Sequence, residues 1–356
     1  MTVDRRPILI TGGAGFIGSN LADRLAGEGH EIVVYDALSR PGVERNLAWL
    51  SLRHGRQITH VGGDVRDEDE LARAVADTKA VFHFAAQVAV TTSLADPRED
   101  FDINVRGTVD LLDAVRVRRE PVPVIFASTN KVYGDLADIE LDTLHGRYEP
   151  KHFTARRGVD ESRPLDFHTP YGCSKGAADQ YVLDYARSFG VPTAVFRMSC
   201  IYGERQMGTE DQGWVAHFLI RALERRPLTI YGDGRQVRDI LDVGDAVNAY
   251  VRAFENIDEV AGRAFNLGGG PANAISLLEL IDEMRAITGR DIDLRFEDWR
   301  QGDQRWFVAD TSAARAALDL PTPRGWRDGV ARLAHWLARE RRLELAPALH
   351  LESAAE

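Results

Sequence analysis

Short apolar runs rich in β-branched residues alternate with segments of helical period as far as residue 199. The strand pattern falls at Pro7–Thr11, Glu31–Asp36, Ile58–Gly62, Ala80–Ala85, Val122–Ser128 and Thr193–Ser199. The helical pattern falls at Gly15–Glu28, Glu68–Ala76, Asn104–Arg118 and Tyr171–Phe189. Such alternation predicts βαβ units and a doubly wound parallel α/β sheet covered on both faces. Asp138 to Arg163 interrupts the rhythm with polar and basic residues and predicts a surface excursion. Beyond residue 200 the elements shorten, glycine turns appear at 231–234 and 267–271, and helices return near Leu277–Thr288 and Gly325–Arg341. The expected organisation is a first domain at 1–199, with 235–256 packing back on it. A smaller lobe takes 200–234 and 257–345, and 346–356 form a tail. No internal repeat or low-complexity stretch breaks this plan.

In open parallel sheets, ligand groups gather at the carboxyl ends of strands. The polar and glycine-rich segments Gly12 onward, Asp36, Asp64, Ala85-Ala86, Ser128-Thr129 and Ser199-Cys200 all fall there. The first strand runs into Thr11-Gly12-Gly13-Ala14-Gly15-Phe16-Ile17-Gly18, with helical residues behind it. Gly12 permits a tight turn, Gly15 a close backbone approach to a pyrophosphate, and Gly18 close packing of helix on sheet. The helix N-terminus then faces phosphate. This is a Rossmann-type dinucleotide signature, with Phe16 and Ile17 inside the loop. Asp36 ends the second strand, where a carboxylate accepts from a ribose diol and repels a 2′-phosphate; NAD is therefore expected over NADP. Arg40 nearby keeps NADP open. Asp64 and Val65 are placed to meet the adenine, Ala85 and Ala86 to line the cofactor, and Asn104 to open a helix beside it.

Composition narrows the partners. The 356 residues are 44% hydrophobic and 28% charged, with net charge −11. A charge of this sign and spread disfavours a general nucleic-acid or anionic-membrane binder. The longest apolar stretch, Val81 to Val90, is cut by His83 and Gln87 and is too short to span a bilayer. Met1 to Arg6 carries no apolar signal core, and a cytoplasmic location is expected. The two cysteines, Cys173 and Cys200, make neither a disulfide framework nor a metal spacing. Only four of the 44 basic residues are lysine, and Lys131 and Lys175 stand inside motif-like segments.

Lys175 follows Tyr171 by one helical turn in Pro170-Tyr171-Gly172-Cys173-Ser174-Lys175, so both project from one helix face. An ammonium beside a phenol is expected to favour phenolate and make Tyr171 a base. The glycine loop together with this pair resembles the extended short-chain dehydrogenase/reductase family of nucleotide-sugar epimerases. The strings Ser128-Thr129-Asn130-Lys131-Val132-Tyr133-Gly134 and Leu165 to Tyr181, with Asp211-Gln212-Gly213-Trp214 and Gln236-Val237-Arg238-Asp239, are similar to its branch inverting C2 of CDP-linked deoxyhexoses.

That resemblance implies a catalytic set of Thr129, Tyr171 and Lys175, with Ser128 as the adjacent alternative hydroxyl. It implies a retained NAD, since the sugar would be oxidised to a 2-keto form and reduced again. It assigns the diphosphate to Arg238 and Arg300, and the rest of the substrate to Asn130, Lys131, His168, Gln212 and Arg305. It also implies a homodimer or homotetramer. Two departures stand out. Asn130-Lys131 replaces the Asp-Glu pair of the family's dehydratases, which argues against simple dehydration. Cys200 stands where many relatives have a diphosphate-binding asparagine. A UDP-sugar 4-epimerase, an NADP-dependent reductase and a non-catalytic dinucleotide-binding protein remain the alternatives.

Overall fold

The structure is a computed structural model that describes residues 4–345; the expected tail at 346–356 lies outside the described residues. Its first half builds β1 (Ile8–Thr11), α1 (Phe16–Gly27), β2 (Ile32–Tyr35), α2 (Val43–His54), β3 (Ile58–Val61), α3 (Glu68–Ala76), β4 (Ala80–His83) and β5 (Val124–Thr129). Strands Thr193–Met198 and Arg263–Leu267 complete a seven-stranded sheet. Every pairing in it is parallel, and its order is β3, β2, β1, β4, β5, Thr193–Met198, Arg263–Leu267. The order reverses between β1 and β4, which opens a crevice at the carboxyl ends of those two strands. Ile8, Ile10, Val34, Phe82 and Phe196 fill one sheet face, while Leu9, Val81, Val124, Phe126 and Val195 fill the other. Burial on both faces explains why these strands read as continuous apolar runs rather than alternating ones.

Arg263–Leu267 is a correction to the expected division. Residues 257–345 were assigned to the smaller lobe, yet this segment pairs along Thr193–Met198 as the outer strand. The Val243–Glu255 helix contributes Val247 and Tyr250 to the first core, and Ala314 and Leu318 of Ser312–Leu318 join it. The strand before that helix, Val237–Asp242, instead joins a second sheet with Cys200–Tyr202, Ala274–Ser276 and Trp306–Phe307. A separate apolar cluster surrounds it, drawn from the Trp214–Leu223, Leu277–Thr288 and Trp326–Arg341 helices.

Helix ends follow from local chemistry. Asp67 accepts from the Glu70 amide to start α3, and Ser276 with Glu279 forms a reciprocal cap on Leu277–Thr288. The Thr169–Phe189 helix starts with Pro170 in its first turn and stops at Gly190 in left-handed conformation. The expected helix at Asn104–Arg118 is the second part of a longer helical stretch from Pro97 to Arg116, with a π-turn at Asp102–Arg106. α2 and a hairpin are among the elements outside the expectations. α2 fully buries only Asn46 and Leu50, with Val43, Leu47 and Trp49 packed partly against the first core. The excursion holds an antiparallel hairpin, Leu141–Leu144 with Arg147–Pro150, whose Tyr148 amide donates to the Arg235 carbonyl of the second lobe.

Candidate active site

A cavity of about 740 Å³ starts in the crevice and runs between the two lobes. Its first end is the glycine loop. Gly12 has φ +67°, and a Cβ there would lie 2.7 Å from the Ala85 amide nitrogen. At Gly18 a Cβ would lie 2.4 Å from the Gly12 carbonyl oxygen, so only glycine lets α1 start this close to β1. Gly15, Phe16, Ile17, Asp36, Asp64, Val65, Ala85 and Ala86 line the same end.

The Asp36 carboxylate accepts from the Ala14 amide at 3.0 Å and the Leu38 amide at 2.8 Å, which fixes it across the loop mouth. The Asp64 carboxylate accepts from Arg66 Nε at 2.9 Å and Nη2 at 2.6 Å, and this bonding lowers its pKa. Asn104 departs from its expected place. It does not line the cavity and does not open a helix. Its buried amide donates to the Gln87 carbonyl and Ser174 hydroxyl at 3.0 Å each, while its oxygen accepts from the Gln87 amide at 2.9 Å. Asn104 thus pins the loop after β4 to the helix that carries Tyr171.

In the middle of the cavity stand Thr129, at the end of β5, and Tyr171 and Lys175, on one face of the Thr169–Phe189 helix. All three are buried. Burial pushes the Tyr171 phenol up to about 12, although a hydrogen bond with Thr129 draws it down. Burial pulls Lys175 down to about 7. The Lys175 ammonium lies over the Phe126 ring at 4.1 Å. This corrects the expectation of a phenol acidified by its neighbour: in the protein alone, desolvation dominates both groups, against a Thr129 hydrogen bond at Tyr171 and the carboxylates of Asp179 and Asp100 at Lys175. Ser128 is spent elsewhere, donating to Asp179 Oδ2 at 2.7 Å. Asp179 also pairs with Arg197 at 3.0 Å through both its oxygens, wholly buried.

The far end carries cations paired with carboxylates. Arg238, Arg300, Lys131, Asn130 and Gln212 line it, with Tyr231, Trp214 and Phe218. Arg238 donates to Asp303 at 2.7 Å, and Arg300 stacks on Tyr231 at 3.9 Å while pairing with Glu210 and Asp211. Lys131 donates to the Gly302 carbonyl at 2.9 Å; burial, reinforced by Arg238, lowers its pKa to about 8. The Asn130 amide donates to Gln304 at 3.1 Å, and Gln304 donates to the Gly134 carbonyl at 2.6 Å. These bonds staple the 300–304 loop to the segment after Thr129.

Two expected substrate residues lie outside the cavity. His168 is half-buried and bonded to Asp135 at 2.5 Å and Asp166 at 3.1 Å, and Asp135 raises its pKa. Arg305 is exposed, with its guanidinium 5.5 Å from the Trp299 ring and 5.8 Å from that of Tyr148. Residues not anticipated from sequence include Asn46, Arg205, Gln206 and Met207, which join the lining from α2 and from the loop after Cys200–Tyr202. The available signal was an asparagine and a tryptophan three residues apart, Asn46 and Trp49, beside Val43, Leu47 and Leu50 at helical spacing.

The cavity suits a dinucleotide on its own features. At Gly12 and Gly18 the loop excludes any Cβ, Asp36 stands at its mouth, and the buried Lys175 amine faces the crevice. Among the described residues no group of three His, Cys, Asp or Glu side chains is arranged to hold a metal, and no helix is long and apolar enough to cross a membrane.

Residues 8–268 match the NAD dependent epimerase/dehydratase family. The chain is 45% identical over 338 residues to a CDP-paratose 2-epimerase of Salmonella typhi, covering 92% of this chain and 98% of that protein. A UDP-glucose 4-epimerase from Thermotoga maritima, solved with UDP-glucose, superposes with TM-score 0.81 at 30% identity, covering 94% of this chain and 99% of that one. A UDP-glucuronic acid 4-epimerase from Bacillus cereus, solved with UDP-glucuronic acid and NAD, also gives TM-score 0.81, at 27% identity over the same shares.

Proposed function

The chain belongs to the NAD dependent epimerase/dehydratase family, and from that premise we propose that it inverts C2 of a CDP-linked deoxyhexose, interconverting CDP-paratose and CDP-tyvelose. The observation that carries this reading is the meeting of Thr129, Tyr171 and Lys175 in one cavity, between a dinucleotide loop and a lobe that presents Arg238 and Arg300. The likeness to the Salmonella typhi enzyme chooses the sugar and the base.

NAD would be held by the Gly12–Gly18 loop, Asp36, Asp64 and Lys175, and when bound it supplies the chemistry of taking a hydride from the sugar carbon and returning it. The protein's own part is proton transfer and grip. Tyr171 takes the C2 hydroxyl proton and later gives it back. Its phenol, at about 12 in the protein alone, comes down once positive charge enters the site beside it. Thr129 holds the reacting oxygen in line with that phenol. Arg238 and Arg300 hold the diphosphate while the 2-ketosugar turns to present its other face, planar guanidinium forks being suited to phosphate oxygens. Lys131, with one of its three protons committed to Gly302, has donors left for the sugar. A cytoplasmic location and a homodimer or homotetramer belong to the same proposal. Exposed Phe101, Tyr181 and Phe189, on the two helical segments flanking the sheet, supply apolar surface for pairing.

CDP-paratose and UDP-glucose, each incubated with the protein and resolved by NMR, test the assignment. Formation of CDP-tyvelose without net nicotinamide reduction supports it. Epimerisation of the UDP-sugar alone would replace it with the 4-epimerase reading, and net consumption of NADPH with the reductase one.

A further inference from the structure

The pyrophosphate end of the cavity is roofed by a segment of the other lobe. Glu204 to Met207 follow the Cys200–Tyr202 strand, which pairs within the second sheet, yet they cross back over the glycine loop. Two asparagines of the first domain hold this strap by its backbone. Asn20 of α1 donates to the Glu204 carbonyl at 3.0 Å and to the Phe16 carbonyl at 2.8 Å. Asn46 of α2 donates to the Arg205 carbonyl at 3.2 Å and to the Ala14 carbonyl at 3.1 Å. Each amide therefore ties the strap and the glycine loop to one point. Met207 sits over Gly42, where a Cβ would come within 3.0 Å of its side chain.

Arg205 is the centre of the strap. Its φ of +71° lies in the left-handed region that arginine seldom adopts. Its guanidinium lies over the Trp49 ring of α2 at 3.9 Å and faces the Trp336 ring of the second lobe at 5.4 Å. Burial lowers its pKa. A cation held between rings from the two lobes, on strained backbone, spans the two lobes beside the Asn46 tie to the glycine loop. Backbone strain of this kind persists only where the surroundings over-determine it, and it clusters at ligand clamps.

We propose that Arg205, stacked on Trp49, is the clasp of a strap that retains the dinucleotide between turnovers. It contributes to binding by closing the exit from the loop. The inference rests on the dinucleotide reading of this cavity and is independent of which sugar the far end takes. A clasp of this sort suits an enzyme that hands the hydride back and never exchanges its cofactor. The same chain continues from Met207 into Thr209, Gln212 and Trp214 at the substrate end, so the strap bridges both ends of the cavity.

The test is retention of NAD by the purified protein. Wild type, Arg205→Asn, Trp49→Leu and the control Arg53→Ala are each loaded with NAD and dialysed, and the remaining nucleotide is released by denaturation and quantified by mass spectrometry. Asparagine tolerates positive φ, so the first variant removes the stack without adding strain. Arg53 sits on the same helix but is exposed and paired with Asp23. Wild type and Arg53→Ala are expected to keep their NAD, while Arg205→Asn and Trp49→Leu release it roughly tenfold faster or more, the scale of a desolvated cation–π contact. Thermal melts in parallel separate release from unfolding. Retention as in wild type by a folded Arg205→Asn or Trp49→Leu overturns the clasp. A wild type that never holds NAD overturns the cofactor reading itself.

Discussion

Tyr171 and Lys175 oppose each other as titrating groups before any cofactor is present. Burial holds the phenol up, at about 12, and the ammonium down, at about 7, so near neutral pH the protein alone keeps the phenol protonated and the lysine only about half charged. The lysine shift is also a statement about stability. Its folded pKa is depressed below the ordinary 10.5. The buried ammonium therefore costs stability most fully below about pH 7, and the cost fades as pH rises from there toward 10.5. Lys175→Met is thus expected to raise the melting temperature of cofactor-free protein by about 2–4 °C per kcal/mol relieved. Melts at pH 6 and pH 9 check the sign: the gain should shrink at the higher pH. The same variant should lose turnover, and Tyr171→Phe should lower kcat by about 10²–10⁴-fold, the range for a general base. Ser128→Ala should leave the pH profile of turnover unchanged, because that hydroxyl already donates to Asp179. A profile shifted as far as that of Thr129→Ala would show Ser128 to be the reacting hydroxyl instead.

The elements that carry these residues are held by buried polar ties as much as by apolar packing. Arg197, on the strand beside β5, grips Asp179 on the Tyr171 helix through two bonds of 3.0 Å, and Ser128 joins them. Arg197→Met leaves the carboxylate buried without its cation and should destabilise the fold by about 3–5 kcal/mol, as a shift in the denaturant midpoint. Gly18→Ala places a methyl 2.4 Å from a backbone oxygen. It should lose about 1–3 kcal/mol and weaken NAD binding, which calorimetry would read. Six of the seven strands of the large sheet were legible, five of them because burial on both faces makes their apolar runs continuous, and Gly12 and Gly18 because no other residue fits; Arg263–Leu267 was missed. α2 was not anticipated: its fully buried positions are one asparagine and one leucine, and Val43, Leu47 and Trp49 are only partly covered. Asn104 resembled a helix opener only because the π-turn that seats it leaves no mark in an apolar period. Arg305 and His168 were drawn toward the site by neighbours in sequence, but their side chains turn to surface partners.

At the scale of the whole molecule, the order reversal in the sheet places the reacting groups at the seam of two lobes, and most of the chain serves to keep that seam shut. The hairpin of the 138–163 excursion contributes here: Arg147 donates to the Ala274 carbonyl at 2.8 Å and Tyr148 to Asp233 at 2.7 Å, tying a first-domain insertion to the second lobe. Such contacts between segments far apart in sequence leave no local signature. They were beyond reading from periodicity, although the lobes and the crevice were not. A closed seam matters because an oxidised sugar must stay until it is reduced again. The central claim is that hydrogen leaves C2 and returns to C2 without meeting water, and it is tested most directly by turning over CDP-paratose deuterated at C2 in ordinary water. NMR and mass spectrometry of the CDP-tyvelose formed should find the deuterium still at C2; its replacement by solvent hydrogen would contradict the account, since inversion would then proceed by proton exchange.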